Sequence, residues 1–157
     1  MLGHLEAQLF LYREARFMDT HAYDEWLAMW ARSAHYWIPC NADDLDVSRH
    51  VSLVNEDRAG LEDRVRRLES GAHYAQDPKS RLSRVVSNVE LEPAGASEEL
   101  VLHSTFNLSA HRKGRLDVVA GRATHRLVVE DGEPRIAAKK VILVDNDDKI
   151  MNLTFLV

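Results

Sequence analysis

Cysteine is almost absent: Cys40 is the single one in 157 residues. One thiol closes no internal disulfide. It also excludes every zinc site that needs two or more thiolates, and a complete Rieske iron–sulfur centre, which takes two Cys and two His. Long apolar runs are missing as well. Runs such as 141–144 are only a few residues long, against the ~18 of a membrane span. Glu6 and Arg13 interrupt the N-terminal apolar stretch, and neither a basic start nor a small-residue cleavage site accompanies it. Nor is there an excess of positive charge. The 20 Lys+Arg face 25 Asp+Glu, a formal net charge of −5, so the clustered cations that a phosphate lattice rewards are lacking. Internal repeats and low-complexity segments are absent too. These absences set the expectation of a cytoplasmic protein that binds neither nucleic acid nor membrane.

What is present is material for a core. With 45% apolar residues, a chain of this length removes roughly 70% of its extended surface from water and needs no staple. A single domain over 1–157 is expected. Helical patterning fills the first ~70 residues and strand patterning the last ~75, which favours α+β over an alternating parallel design. Leu5, Leu9, Tyr12 and Arg16 fall at helical spacing, and Leu11, Ala15 and Met18 widen the stripe. After a break at Asp19-Thr20-His21, a second helix starts at Tyr23 with Asp24 and Glu25 in its first turn, and Trp26 and Trp30 share one face. Residues 34–38 have strand composition and Pro39 ends them. An Asp-rich loop follows over 41–49.

Asn55 is the expected N-cap of a third helix, with Leu61, Val65 and Leu68 on its inner face and Gly71 as its stop. The period then becomes two. Val85, Ser87, Val89 and Leu91 are expected on one face of a strand, and Leu100, Leu102, Ser104, Phe106 and Leu108 on one face of the next. Pro93-Ala94-Gly95-Ala96 is the turn between them. Strands over 116–129 and 135–144 are joined at Asp131-Gly132-Glu133-Pro134, and a final strand is expected over 150–157. Gly121 inside a strand suggests a bulge or bend, hence a strongly curved sheet wrapped over the first helix as a cone.

Read in order, these pieces resemble a known family. Phe10-Leu11-Tyr12-Arg13-Glu14-Ala15-Arg16 is followed by Asp19; then come Tyr23-Asp24-Glu25-Trp26-Leu27, Tyr36-Trp37-Ile38-Pro39 and Leu61-Glu62-Asp63-Arg64-Val65. Asp77-Pro78 with Ser80-Arg81, Ser87-Asn88-Val89, residues 138–144 and Leu153-Thr154-Phe155-Leu156 complete the set. Across nearly the whole chain the sequence is similar to the small (β) subunits of aromatic-ring-hydroxylating dioxygenases, within the NTF2-like, cone-shaped α+β superfamily. The resemblance implies a mainly scaffolding subunit with no catalytic, cofactor-binding or metal-binding residues of its own. It implies a β trimer docked to a large (α) subunit, in many members as α3β3, with the Rieske [2Fe–2S] cluster and the mononuclear Fe(II) on α. Electrons would arrive from NAD(P)H through a reductase, in some members with a ferredoxin, and both atoms of O₂ would enter an aromatic ring as a cis-dihydrodiol. The opening helix is similar to that of benzoate-type members, which implies an aromatic carboxylate.

The residues read alone leave a rival open: a cofactor-free isomerase, cyclase or dehydratase on the same fold, with an Asp/His acid–base pair. Its candidates are Asp19, His21, Tyr23, Tyr36 and His103. The eight histidines include no pair three or four residues apart, so a two-His-one-carboxylate iron site would need convergence across strands, with His103 and His125 as the pair to test. Trp26, Trp30 and Trp37 read as core, subunit contact or cavity lining. Arg64, Arg66 and Arg67, interleaved with acids, read as a solvated or intersubunit ion-pair face rather than an anion site. In Lys139-Lys140 one ammonium must face the polar side while the other pairs, snorkels or enters an interface. Arg81, Arg84 and Asn88 either bridge subunits or satisfy loop carbonyls. Cys40 reads as an inert thiol.

Overall fold

Helix α1, His4–Asp19, opens the chain. Glu6 accepts a hydrogen bond from the Gly3 N–H at 2.7 Å, satisfying a donor at the helix start and placing negative charge where the macrodipole favours it. In this computed structural model, which describes residues 2–40, 51–71, 77–93, 99–148 and 153–157, the helix buries only the widening half of the expected stripe, Leu11, Ala15 and Met18, and turns its Leu5, Leu9 and Tyr12 half outward. Leu5, Leu9 and Tyr12 are 66%, 52% and 44% exposed, whereas Ala7, Phe10, Leu11, Glu14, Ala15 and Met18 are buried. Periodicity locates a helix, but with apolar residues on both sides it does not say which side meets the core.

Helix α2, Tyr23–Ala28, ends sooner than expected, and Trp30 already belongs to strand β1, Trp30–Pro39. The two tryptophans still meet, edge to face with centroids 5.4 Å apart. Strand β2, Ser52–Asp57, pairs antiparallel with β1. Its polar composition hid it from the sequence reading, and Asn55 lies in this strand opposite Trp37 instead of capping a helix. The N-cap of α3, Arg58–Glu69, is Asp57, whose Oδ1 accepts from the Gly60 N–H at 2.9 Å. Gly71 follows the helix at φ +65°, the left-handed conformation that glycine adopts without strain.

Four long strands complete the sheet: β3 Arg81–Pro93, β4 Leu100–Arg112, β5 Arg115–Glu130 and β6 Glu133–Leu143. The order is β2-β1-β6-β5-β4-β3; β1 runs parallel to β6, and the other pairs are antiparallel. At Asp131-Gly132 both turn residues have positive φ, 54° and 81°, the two-residue hairpin geometry that matches strand twist.

In β3 the register shifts between Ser87 and Glu90, with Asn88 at φ +51°. That irregularity breaks the expected single face: Val85 is 64% exposed while Val89 is buried. On β4 the expected face holds, since Leu100, Leu102, Ser104, Phe106 and Leu108 are all buried. Gly121 sits in continuous register with Phe106 and Leu143, not at a bulge. A Cβ there would lie 2.5 Å from the Ile142 carbonyl oxygen, so glycine permits close backbone approach. The shift in β5 comes further on, between Arg126 and Leu127 against β6.

The expected last strand is not formed over the described residues 153–157. Instead Leu156 and Val157 enter the core. The Asp-rich loop over 41–49 and the turn residues 94–96 lie outside the described residues. Among the described residues no helix is long and apolar enough to cross a membrane.

Candidate functional site

The buried face of α1 carries one carboxylate, Glu14, midway between Phe10 and Met18. It faces β5 and β6, where cross-strand register sets His125 opposite Lys139. Lys139 donates to Glu14 Oε1 at 2.7 Å and His125 Nε2 donates to Oε2 at 2.8 Å; Trp26 Nε1 reaches Oε1 at 3.4 Å. All three charged or titratable members are no more than 3% exposed. Burial pushes the Glu14 pKa upward, but the Lys139 ammonium and His125 outweigh it and hold the carboxyl well below the usual carboxylate range. Burial pushes the His125 pKa down against the pull of Glu14, so the ring stays neutral, with its proton on Nε2. Burial lowers Lys139 as well, and Glu14 opposes that shift.

A second, partly buried pair lies beside the first. Arg84 donates from Nε to Asp19 Oδ1 at 2.6 Å and from its backbone N–H to Oδ2 at 2.9 Å, while its Nη2 donates to the Leu156 carbonyl at 2.9 Å. Tyr36 donates its hydroxyl to the Val157 carbonyl oxygen, and burial raises its pKa. Between these groups lies a cavity of about 20 Å³, lined by Glu14, Arg84, Ser104, His125 and Lys139 together with apolar residues such as Leu11 and Phe106. That volume suits a single water molecule, not an organic substrate. His125 Nδ1, without a hydrogen-bond partner among the described residues, is the polar atom such a water would serve.

The chemistry available here is limited. A general base works best with a pKa near the working pH and a free lone pair, whereas Glu14 is held strongly ionised and both its oxygens are engaged. Of the rival's candidates, Asp19 and Tyr36 do reach the interior, each tied to a structural partner. His21 and Tyr23 bond to each other at 2.9 Å, and His21 Nε2 donates to the Ser80 carbonyl at 2.9 Å. His103 turns to the outer face, where it meets Glu92 at 3.0 Å and Thr124 at 3.2 Å. His125 lies opposite Leu102 in register, so the two histidines point to opposite faces and do not converge.

Most of the remaining singled-out residues have local partners. Arg64 forms a bidentate pair with Glu56 at 2.8 and 2.7 Å, and Arg66 meets Asp63 at 2.6 Å. Arg81 meets His111, and the Asn88 amide donates to Thr105. Lys140 lies 4.7 Å from the centroid of the Trp37 ring, and Cys40 is a buried free thiol. Glu14 was missed in the sequence because a carboxylate on a helix reads as surface. The available signal was Lys139, a cation in an apolar strand that had to find an anion.

Among the described residues the donors do not assemble an iron centre. A single cysteine leaves a Rieske cluster without its thiolates. Where His125 and Glu14 meet in the interior, the Lys139 ammonium holds the second carboxylate oxygen. Among the described residues no group of three His, Cys, Asp or Glu is placed to hold a metal.

A curved sheet closed over a helix, with its inner charges neutralising one another, defines an NTF2-like cone protein. The family described as ring hydroxylating beta subunit matches residues 13–148, and the chain belongs to it. The small subunit of 2-halobenzoate 1,2-dioxygenase from Burkholderia cepacia is 35% identical over 146 residues, covering 90% of this chain and 88% of that one. The solved beta subunit of benzoate 1,2-dioxygenase from Burkholderia mallei superposes with a TM-score of 0.77 at 30% identity, covering 91% of both chains. A hexachlorocyclohexane dehydrochlorinase, at 12% identity and a TM-score of 0.61 over 88% of this chain and 83% of its own, shares the fold alone. The protein is thus a β subunit of an aromatic-ring-hydroxylating dioxygenase, part of an enzyme complex, and a β subunit implies an α-subunit partner.

Proposed function

We propose that this chain is the non-catalytic, structural small subunit of a Rieske non-haem iron dioxygenase: one domain over 1–157 that works in the cytoplasm, forms a β trimer and docks three α subunits as α3β3. The [2Fe–2S] cluster and the mononuclear Fe(II) reside on α. A reductase, alone or through a ferredoxin, delivers two electrons from NAD(P)H, and α adds both atoms of O₂ to an aromatic ring to give a cis-dihydrodiol. The observation that carries the reading is the state of the cone interior. Its carboxylate is doubly engaged and ionised, and its cavity admits no substrate, so the space where a cone-fold catalyst would work is taken up by structural ion pairs. Against the rival isomerase, cyclase or dehydratase, each of its candidates is tied to a structural partner among the described residues. The benzoate-type names of the relatives support an aromatic carboxylate as the substrate of the complex.

The test is purification of the chain alone and after co-expression with its α subunit, with mass by light scattering, iron by elemental analysis and oxygen uptake. The expected result is an iron-free, inactive chain alone and an iron-bearing, active hetero-oligomer with α. Stoichiometric iron or turnover in the isolated chain would overturn the reading.

A further inference from the structure

Helix α3 carries Arg58, Arg64, Arg66 and Arg67. The first three are spoken for: Arg58 by Glu62 at 2.8 Å, Arg64 by Glu56 at 2.7 Å and Arg66 by Asp63 at 2.6 Å. The Arg67 guanidinium has no such partner among the described residues, and the nearby Glu69 exerts its charge on Tyr23 instead. Arg67 lines a cavity of about 300 Å³ between α3, β2 and the C-terminal segment, whose walls include Leu53, Leu68, Leu153 and Phe155. These four side chains pack on the core and are partly buried. Arg64, already held by Glu56, and Thr154 complete the polar part of the lining; the volume lies at the lower end of the range for small-molecule sites, which combine apolar walls with a few placed polar groups.

We infer that this cavity is a binding site for a small apolar monocarboxylate: the hydrocarbon body covers the leucines and Phe155, and the carboxylate takes two parallel N–H bonds from Arg67. A free inorganic anion would satisfy the guanidinium but leave the apolar walls wet, and an uncharged hydrocarbon would do the reverse. The site is separate from the Glu14 cluster, and the inference does not rest on the subunit reading.

The test is ligand-observed NMR and calorimetry on the full chain with benzoate as the probe, beside benzyl alcohol and inorganic phosphate. Benzoate is expected to bind saturably, with benzyl alcohol and phosphate each at least tenfold weaker. Arg67→Gln should weaken benzoate at least tenfold, while Arg66→Gln, which removes a neighbouring but paired guanidinium, changes it less than twofold. Both side chains are exposed, and unchanged amide spectra will confirm that the variants fold. Absence of saturable binding, equal loss in the two variants, or phosphate competing as well as benzoate would each overturn the inference, the last by showing a surface attraction for anions only.

Discussion

Lys139 and Lys140 are adjacent in one strand and live in different solvents. Lys139 points inward, where an ammonium must find its charge partner, and Glu14 is placed 2.7 Å away. Lys140 points outward and spreads over the face of Trp37. Helix α1 repeats the contrast, with Leu11 buried on one side and Leu9 half in solvent on the other. The lesson is that residue type predicts little here until its face is known. An identical deletion is costly inside because it strands a charge or opens a void, and cheap outside because water replaces what is lost.

Lys139→Met should therefore be the most damaging change, at about 3–5 kcal/mol, because it leaves the Glu14 carboxylate buried and unpaired. Denaturant titration should show the double variant Glu14→Gln with Lys139→Met recovering most of that loss. If the double is as unstable as the single, the ion pair is not the reason. Leu11→Ala comes next, at about 2–4 kcal/mol of lost stability from transfer and cavity terms, read from the same titrations.

Acid should act on the interior in two stages. His125 and Glu14 both have folded pKa values below their unfolded ones, so the unfolded chain binds more protons and stability falls as pH falls. The His125 contribution is complete above an unfolded pKa of about 6.5 and the Glu14 contribution above about 4.3, and each is lost as pH drops toward the folded value. Midpoints measured from pH 8 to 4 should decline from about 6.5 downward, by up to about 1.4 kcal/mol per pH unit for one proton. His125→Asn should flatten the upper part. An unchanged slope would show that this ring does not stay neutral.

The smallest effects belong to the outer positions. Lys140→Met and Leu9→Ala should each change the stability of the isolated chain by no more than about 1 kcal/mol. A large loss at Leu9 in thermal melts of the isolated chain would mean that the outer side of α1 is already covered there.

How much was legible follows the same division. The presence of three helices, the inward face of β4 and the Asp131-Gly132 turn depend on local spacing and local dihedral demands, and they were read correctly, though the helix ends were not. Strand β2 was missed because Asn55, Glu56 and Asp57 speak for a helix start; only pairing with β1 makes them a strand. The face of β3 was misassigned because the irregularity at Asn88 leaves no mark in the alternation of Val85, Ser87 and Val89. The site was legible in one half: Lys139 announced that it needed an anion, while nothing near it in the chain named Glu14, 125 residues away.

By itself, the amino-acid order determined the class of fold and left too few thiolates for a Rieske centre, because these rest on period and on the count of one residue type; the family was legible in the order of its motifs. Only the tertiary structure decided which side of α1 is buried, that His103 and His125 turn apart, and that the interior carboxylate is spent on Lys139 and His125. Those outcomes depend on which surfaces meet across the sheet, and side chains distant in the chain come together only when register and packing are settled.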